Sequence, residues 1–311
     1  MKILITGGAG FIGSHLCDAL MERGHNLTVV DNLVLGRKEN ISHLLGKVGF
    51  EFIEEDLLQT EAMRDIFKDR KFDMVYHLAA NSDIQKGGKD PQVDYDLTFN
   101  TTFHVLRYLK EFGIKKFFFA STSAIYGETS DILNENYGPL CPVSNYGAGK
   151  LASEAFISAF SFAYHIQTWI TRFPNVVGER FTHGVIYDFI HKLRKNPAEL
   201  EVLGNGEQYK PYVYVKDLVE GILYVIDHAS DAYNVYMLGS DSRTKVKEIA
   251  AMVIEEMGLN AKIKYSGGDR GWGGDVPEFR YDLTKVNTLG WKAAYTSNES
   301  VRLAIQKALG K

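Results

Sequence analysis

Short apolar runs at residues 3–6, 27–30, 51–53, 74–78, 117–120 and 168–171 alternate with amphipathic stretches over 12–22, 62–67 and 98–110. The runs have strand length. The stretches repeat apolar side chains at helical spacing, as at Ile12, Leu16, Ala19 and Leu20. Strand and helix in alternation, joined by short glycine turns, predict a parallel, doubly wound α/β sheet of the Rossmann type. The run Met74-Val75-Tyr76-His77-Leu78 is apolar but for its histidine, as expected of a strand covered on both faces. Beyond Pro174 the texture changes. Glycine-containing loops at Gly204-Asn205-Gly206, Gly239, Gly267-Gly268 and Gly271 to Gly274 separate helical patterns over 186–193, 218–226, 246–257 and 299–309. The expected organisation is a dinucleotide-binding domain over 1–173 and a smaller α+β lobe over 174–311, with the chain returning to the first sheet near 233–238.

One helical pattern differs from the others. Residues 146–164 carry Leu151, Ala155, Phe156, Ile157, Phe160 and Phe162, with no charge after Glu154. A helix apolar all round needs cover on two sides. The sheet supplies one cover, and either a second subunit or the second lobe supplies the other.

The glycines Gly7, Gly10 and Gly13 follow the first strand and open the first helix. That order suits a dinucleotide: Gly7 for the sharp turn, Gly10 for close approach of a pyrophosphate, Gly13 for helix–strand packing. The positive end of the helix then faces the phosphates. The second strand ends in Asp31, where a ribose-binding acid belongs. Asp31 favours NAD and argues against a 2′-phosphate, although Arg37 and Lys38 lie nearby.

Composition adds exclusions. The chain has 311 residues, 45% hydrophobic and 24% charged, with a formal net charge of -4. This is ordinary globular composition, with no bias toward nucleic acid or an anionic membrane. No apolar run approaches the ~20 residues of a membrane span. The first strand begins at the N-terminus without a preceding signal peptide, so a reduced, cytoplasmic compartment is expected. The cysteines Cys17 and Cys141 have no metal-type spacing. His165, His183 and His191 are isolated, and Asp217 is expected to cap the helix that follows it.

The candidate chemistry lies after the fifth strand. Tyr146 and Lys150 are four apart and so share one helix face. A neighbouring ammonium is expected to lower the phenol pKa from about 10 and make the tyrosine a usable acid/base. Ser121, Thr122 and Ser123 end the fifth strand and offer hydroxyls toward the same crevice.

These residues resemble the extended short-chain dehydrogenase/reductases, in their nucleotide-sugar epimerase and dehydratase branch. The resemblance runs nearly the whole chain. Its markers are Thr6-Gly7-Gly8-Ala9-Gly10-Phe11-Ile12-Gly13, Asp31-Asn32, Asp56-Leu57, His77-Leu78-Ala79-Ala80, Ser121 to Gly127, Tyr146 to Lys150, Arg172 to Gly178 and Tyr212 to Asp217. It implies Tyr146 as acid/base, Lys150 as its partner and a ribose ligand, and Thr122 as the hydroxyl bonding the sugar O4, with Ser123 beside it. For the cofactor NAD it implies Gly7, Gly10, Phe11, Ile12, Gly13, Asp31, Asn32, Asp56, Leu57, Leu78, Ala79 and Ala80. For a nucleotide-diphosphate sugar it implies Asn175, Lys210, Arg270, Asp275 and Phe279. Lys210 stands where relatives carry a diphosphate-binding arginine and lacks the bidentate fork. Phe279 is either a gate limiting sugar size or core packing.

The branch begins alike, with C4 oxidised by NAD, and then diverges. The resemblance associates an Asp-Glu pair after the strand-five threonine with 4,6-dehydratases and a glutamate there with UDP-glucuronate decarboxylases. This chain has Ser123-Ala124. The expected function is therefore C4 epimerisation of a nucleotide sugar, of the UDP-glucose 4-epimerase type, in a homodimer. Alternatives are epimerisation at another carbon, a 4-oxidoreductase, or a non-catalytic NAD-sensing regulator on the same fold.

Overall fold

The computed structural model describes residues 1–271 and 276–311. The chain divides into two compact units: residues 1–125, 140–172 and 225–236 form the first, and residues 126–139, 173–224 and 237–311 the second.

In the first unit, strand β1 (Lys2–Thr6), helix α1 (Phe11–Glu22), β2 (Asn26–Asp31), β3 (Phe50–Glu54), α2 (Thr60–Arg70) and β4 (Met74–His77) follow in order. Next come the short helices α3 (Ile84–Lys89) and α4 (Pro91–Asp94), a π-helical turn (Tyr95–Asn100) and α5 (Thr101–Glu111). The unit is completed by β5 (Lys116–Ala120), α6 (Asn145–Tyr164), β6 (Gln167–Arg172) and β7 (Tyr233–Met237). The strands form one seven-stranded sheet in the order β7-β6-β5-β4-β1-β2-β3. The pairings among β1 to β6 are parallel, with Ile5 opposite both Val29 and Tyr76. The chain winds outward from β1 through β2 to β3, then crosses to the other side of β1 as β4. That reversal opens a crevice at the carboxyl ends of β1 and β4, the usual ligand position in such sheets. Val105, Leu109, Phe117, Phe119, Ile157 and Ile170 pack in the core beside the sheet.

The predicted helix over 98–110 is a π-helical turn followed by α5. Helix α6 buries one face and leaves apolar side chains of another exposed. Its buried positions are Gly147, Gly149, Lys150, Ser153, Glu154, Ile157 and Ser161, whereas Phe156 is 41% and Phe162 70% exposed. Small residues on the inner face bring α6 close to the π-helical turn: a Cβ at Gly149 would lie 3.1 Å from Thr98 Cγ2.

The second unit builds its own core. Ile186, Phe189 and Leu193 of helix Val185–Lys195 pack with Leu200, Ile249 and Ile305. Its sheets are two-stranded: Glu199–Val202 with Lys262–Tyr265, Asn175–Val177 with Tyr212–Tyr214, and Tyr209–Lys210 with Thr244–Lys245. Asp217 is not the expected cap. It sits within the first turn of helix Val215–His228 and accepts a hydrogen bond from the Tyr295 N–H at 3.1 Å. No helix among the described residues is long and apolar enough to cross a membrane.

Candidate active site

The β1–α1 turn takes its shape from its glycines. Gly7 has φ 73°, a left-handed conformation that favours glycine. A Cβ there would lie 2.6 Å from the Ala79 nitrogen, so the turn rests directly on the backbone that follows β4. A Cβ at Gly13 would collide with the Gly7 carbonyl. Gly10 caps α1 without a side chain, and Phe11 and Ile12 begin the helix. The first turn therefore presents backbone and a positive dipole end, the features that hold a pyrophosphate.

Asp31 ends β2 and is 8% exposed, not an ordinary surface acid. Its Oδ2 accepts from the Ala9 N–H at 3.0 Å and its Oδ1 from the Leu33 N–H at 2.9 Å. Burial raises its carboxyl above the usual range, and the N–H groups of Leu33, Ala9 and Gly10 oppose the rise. The acid that would bond the ribose thus also braces the glycine turn. Asn32 donates to Asp56 Oδ2 at 2.9 Å, linking the ends of β2 and β3, and Leu57 beside it is buried. Leu78, Ala79 and Ala80 continue from β4 and are half-buried. These groups line the carboxyl edge of one sheet and fit a dinucleotide: a cradle closed to any Cβ, a helix N-terminus for phosphate, and an acceptor-only carboxylate for a diol.

Helix α6 is capped by Ser144, whose side chain accepts from the Gly147 N–H at 3.1 Å, so Tyr146 lies in its first turn. The Thr122 side chain stands beside the Tyr146 phenol and favours its ionised form. Thr122 Oγ1 accepts from the Ala124 N–H at 3.1 Å, which fixes the hydroxyl at the end of β5. Ser123 is buried beside it, opening a single helical turn through Tyr126.

The electrostatics depart from expectation. Burial pushes the Tyr146 phenol up to about 12; Thr122 opposes the rise and the Asp94 carboxylate adds to it. Lys150 does not lower it in the protein alone. Its Nζ donates to the Ala120 carbonyl at 2.7 Å, lies 4.5 Å from the centroid of the Phe119 ring, and is 6.0 Å from that of Tyr146. Burial brings Lys150 itself down to about 7, against the pull of Glu154. Desolvation outweighs charge pairing here. His77 is also buried and held near 3 by burial, with Lys150 lowering it further. As a neutral ring it bridges Thr6 Oγ1 at 2.6 Å and Thr102 Oγ1 at 3.0 Å, locking the end of β1 to α5.

A buried ion pair beneath the site has no counterpart among the sequence candidates. Arg172, ending β6, meets Glu154 of α6 at 2.6 Å, and Ser121 donates to the same carboxylate. The available signals were the glutamate one turn after Lys150 and an arginine closing an otherwise uncharged strand.

The remaining candidates belong to the second unit. Asn175 is exposed in the strand opposite Tyr212. Lys210 is half-buried in the strand paired with Thr244–Lys245. Arg270 donates to both oxygens of Glu128 at 2.7 and 3.0 Å. Phe279 is half-buried and stacks on Tyr281 with ring centroids 6.2 Å apart. Asp275 lies outside the described residues.

Comparison with known proteins agrees with this geometry. Residues 3–239 match the model of the NAD dependent epimerase/dehydratase family. The chain is 31% identical over 308 residues to a putative UDP-glucose 4-epimerase of Methanocaldococcus jannaschii, covering 97% of each chain. It is 30% identical to UDP-glucuronic acid decarboxylase 4 of Arabidopsis thaliana, over 98% of this chain and 68% of that protein. A crystal structure of a UDP-galactose 4-epimerase superposes with a TM-score of 0.89 at 35% identity, covering 100% of this chain and 99% of that one. With the glycine cradle, Asp31 and the Tyr146–Lys150 pair already in place, these matches make the chain a member of the NAD-dependent nucleotide-sugar epimerase/dehydratase family.

Proposed function

We propose that this enzyme epimerises a UDP-hexose at C4, interconverting UDP-glucose and UDP-galactose through a 4-keto intermediate. The observation that carries this reading is the turn after β5, where Thr122, beside Tyr146, is followed directly by Ser123 and Ala124. The turn after β5 supplies hydroxyls and no carboxyl. Elimination of water across C5 and C6 needs an acid and a base at that point, and neither Ser123 nor Ala124 serves. The resemblance associates a glutamate at that place with decarboxylation, and Ser123 supplies none.

NAD, when bound, supplies the hydride acceptor and donor. Tyr146 takes the proton of the C4 hydroxyl on its Oη and returns it to the reduced product. Thr122 donates to the reacting oxygen and holds it within reach. Lys150 fixes the helix turn against β5 through the Ala120 carbonyl and is the ribose ligand. Gly7, Gly10, Phe11, Ile12 and Gly13 hold the pyrophosphate, Asp31 and Asn32 the adenosine ribose, Asp56 and Leu57 the adenine edge, and Leu78 to Ala80 the middle of the dinucleotide. Asn175, Lys210 and Arg270 are the ligands assigned to the nucleotide sugar, and Phe279 the limit on its size.

The protein is proposed to be a cytoplasmic homodimer. Phe99, Phe103, Phe156 and Phe160 form an aromatic row across the π-helical turn, α5 and α6, with centroid distances of 5.4, 5.4 and 6.4 Å between successive edge-to-face pairs. A partly exposed aromatic face of this kind marks an interaction surface.

Incubating the purified protein with UDP-glucose and resolving the nucleotide sugars by chromatography tests the reading. UDP-galactose is the expected product. UDP-xylose from UDP-glucuronate, with UDP-glucose left untouched, would reverse the assignment in favour of decarboxylation.

A further inference from the structure

The segment between β4 and α5 encloses a carboxyl that the mechanism has not used. Asp94 ends α4 and is 1% exposed. Its Oδ1 accepts from Asn81 Nδ2 at 2.9 Å and from Thr98 Oγ1 at 3.3 Å. Its Oδ2 is buried and has no hydrogen-bond partner among the described residues. That oxygen lies against Gly87 of α3, where any Cβ would collide with it.

The same place receives the start of α6. Asn145, the residue before Tyr146, donates from Nδ2 to the Gly87 carbonyl at 2.9 Å. One turn along, Gly149 packs against Thr98, and a Cβ there would lie 3.4 Å from the Asp94 carbonyl oxygen. Asp94 therefore lies under the turn that carries the phenol. A carboxyl with a bare buried oxygen is a poor structural element, because an unpaired polar atom costs about 1–3 kcal/mol and an unpaired charge more.

We propose that Asp94 is a positioning residue for Tyr146: a third ionisable group that sets, from beneath α6, how readily the phenol releases and recovers its proton. This rests on the reading of Tyr146 as the acid/base. Burial raises the Asp94 carboxyl, Asn81 and Thr98 oppose the rise, and Asp83 adds to it. The charge of Asp94 in turn adds to the rise of Tyr146. The Asp83 carboxylate, in the loop after β4, and the Tyr146 phenol of α6 are the ionisable groups coupled to it by charge. Lys86 and Lys89 of α3 and Asp90 are exposed, and the Lys150 ammonium is bonded to the Ala120 carbonyl. When Asp94 is protonated, the phenolate forms without a like charge beneath it. When Asp94 ionises, it opposes the phenolate. The carboxyl thus makes proton release at Tyr146 respond to pH below the tyrosine's own range.

The test follows the tyrosine Cζ resonances of carbon-13-labelled, NAD-bound protein against pH, with the Tyr146 signal identified by its loss in Tyr146→Phe. In Asp94→Asn the Tyr146 midpoint should fall by about one pH unit, the scale of a nearby like charge, and the acid limb of kcat/KM should move with it. An unmoved midpoint overturns the proposal. A second measurement needs no folded variant: in the wild type the Asp94 Cγ resonance should titrate above the ordinary aspartate value of about 4, and a midpoint below that value also overturns it. If Tyr146→Phe keeps full turnover, the epimerase mechanism fails, while the Cζ midpoint in Asp94→Asn still decides whether Asp94 tunes the phenol.

Discussion

Arg172 and Glu154 form a buried, multiply bonded ion pair. Nη2 lies 2.6 Å from Oε2, and Nε lies 3.1 and 3.2 Å from the two carboxylate oxygens. Their side chains are 8% and 5% exposed. The pair joins the end of β6 to α6 one turn past Lys150, and Ser121 ties the end of β5 to the same carboxylate. Replacing Glu154 by Ala removes the carboxylate from a buried guanidinium, a change that typically costs about 3–5 kcal/mol. Urea unfolding should show that loss. Replacing both partners by Leu should recover most of it, because the desolvation cost disappears together with the attraction.

Tyr146→Phe should leave folding and NAD binding nearly unchanged while turnover falls by at least ~10²-fold, the usual scale for loss of a general acid/base. Thr122→Ala removes one hydrogen bond and leaves the base, so its loss should be smaller. Steady-state kinetics with UDP-glucose read both. Full activity in Tyr146→Phe would rule out the proposed chemistry.

Asp31→Ala should weaken NAD binding and narrow its advantage over NADP. The substitution removes the acceptor for the ribose diol, and it also frees the N–H groups of Ala9 and Leu33. Part of the loss should therefore persist for ligands lacking the adenosine ribose. Cofactor titration by fluorescence distinguishes the two contributions. Tighter wild-type binding of NADP than of NAD would contradict the placement.

Phe279→Cys should raise kcat/KM for UDP-N-acetylglucosamine relative to UDP-glucose. A 2-acetamido group needs several atoms of space, and forcing it against a fixed ring costs about 1–3 kcal/mol, roughly a ten- to hundredfold penalty. The ring is braced by Tyr281 and so resists displacement. An unchanged substrate ratio would mean that Phe279 serves packing alone.

Light scattering at micromolar concentration should give a dimer of the 35.0 kDa chain. Phe103→Asp or Phe156→Asp, placed in the aromatic row, should convert it to monomer. A monomeric wild type would remove α5 and α6 as an interface.

Local pattern and spacing by themselves determined the α/β class, the order of the strands along the chain, the glycine turn and the Tyr146–Lys150 pair, because each depends on residues close in sequence. Gly7, Gly10 and Gly13 are legible because a turn of that kind tolerates little else. Long-range placement was decided only in the tertiary structure. Which side chains of α6 turn inward was decided there too: close approach to the sheet and the π-helical turn selects Gly and Ser on the inner face and leaves Phe156 outward. Arg172 meets Glu154, and Asp94 comes to lie under Tyr146, only once β6 and α4 have packed against α6. The most consequential difference is electrostatic. Spacing put a cation beside a phenol and implied a lowered pKa, but burial, which no local pattern reveals, raises Tyr146 to about 12 and lowers Lys150 to about 7. Charge depends on solvent access, and solvent access belongs to the folded chain.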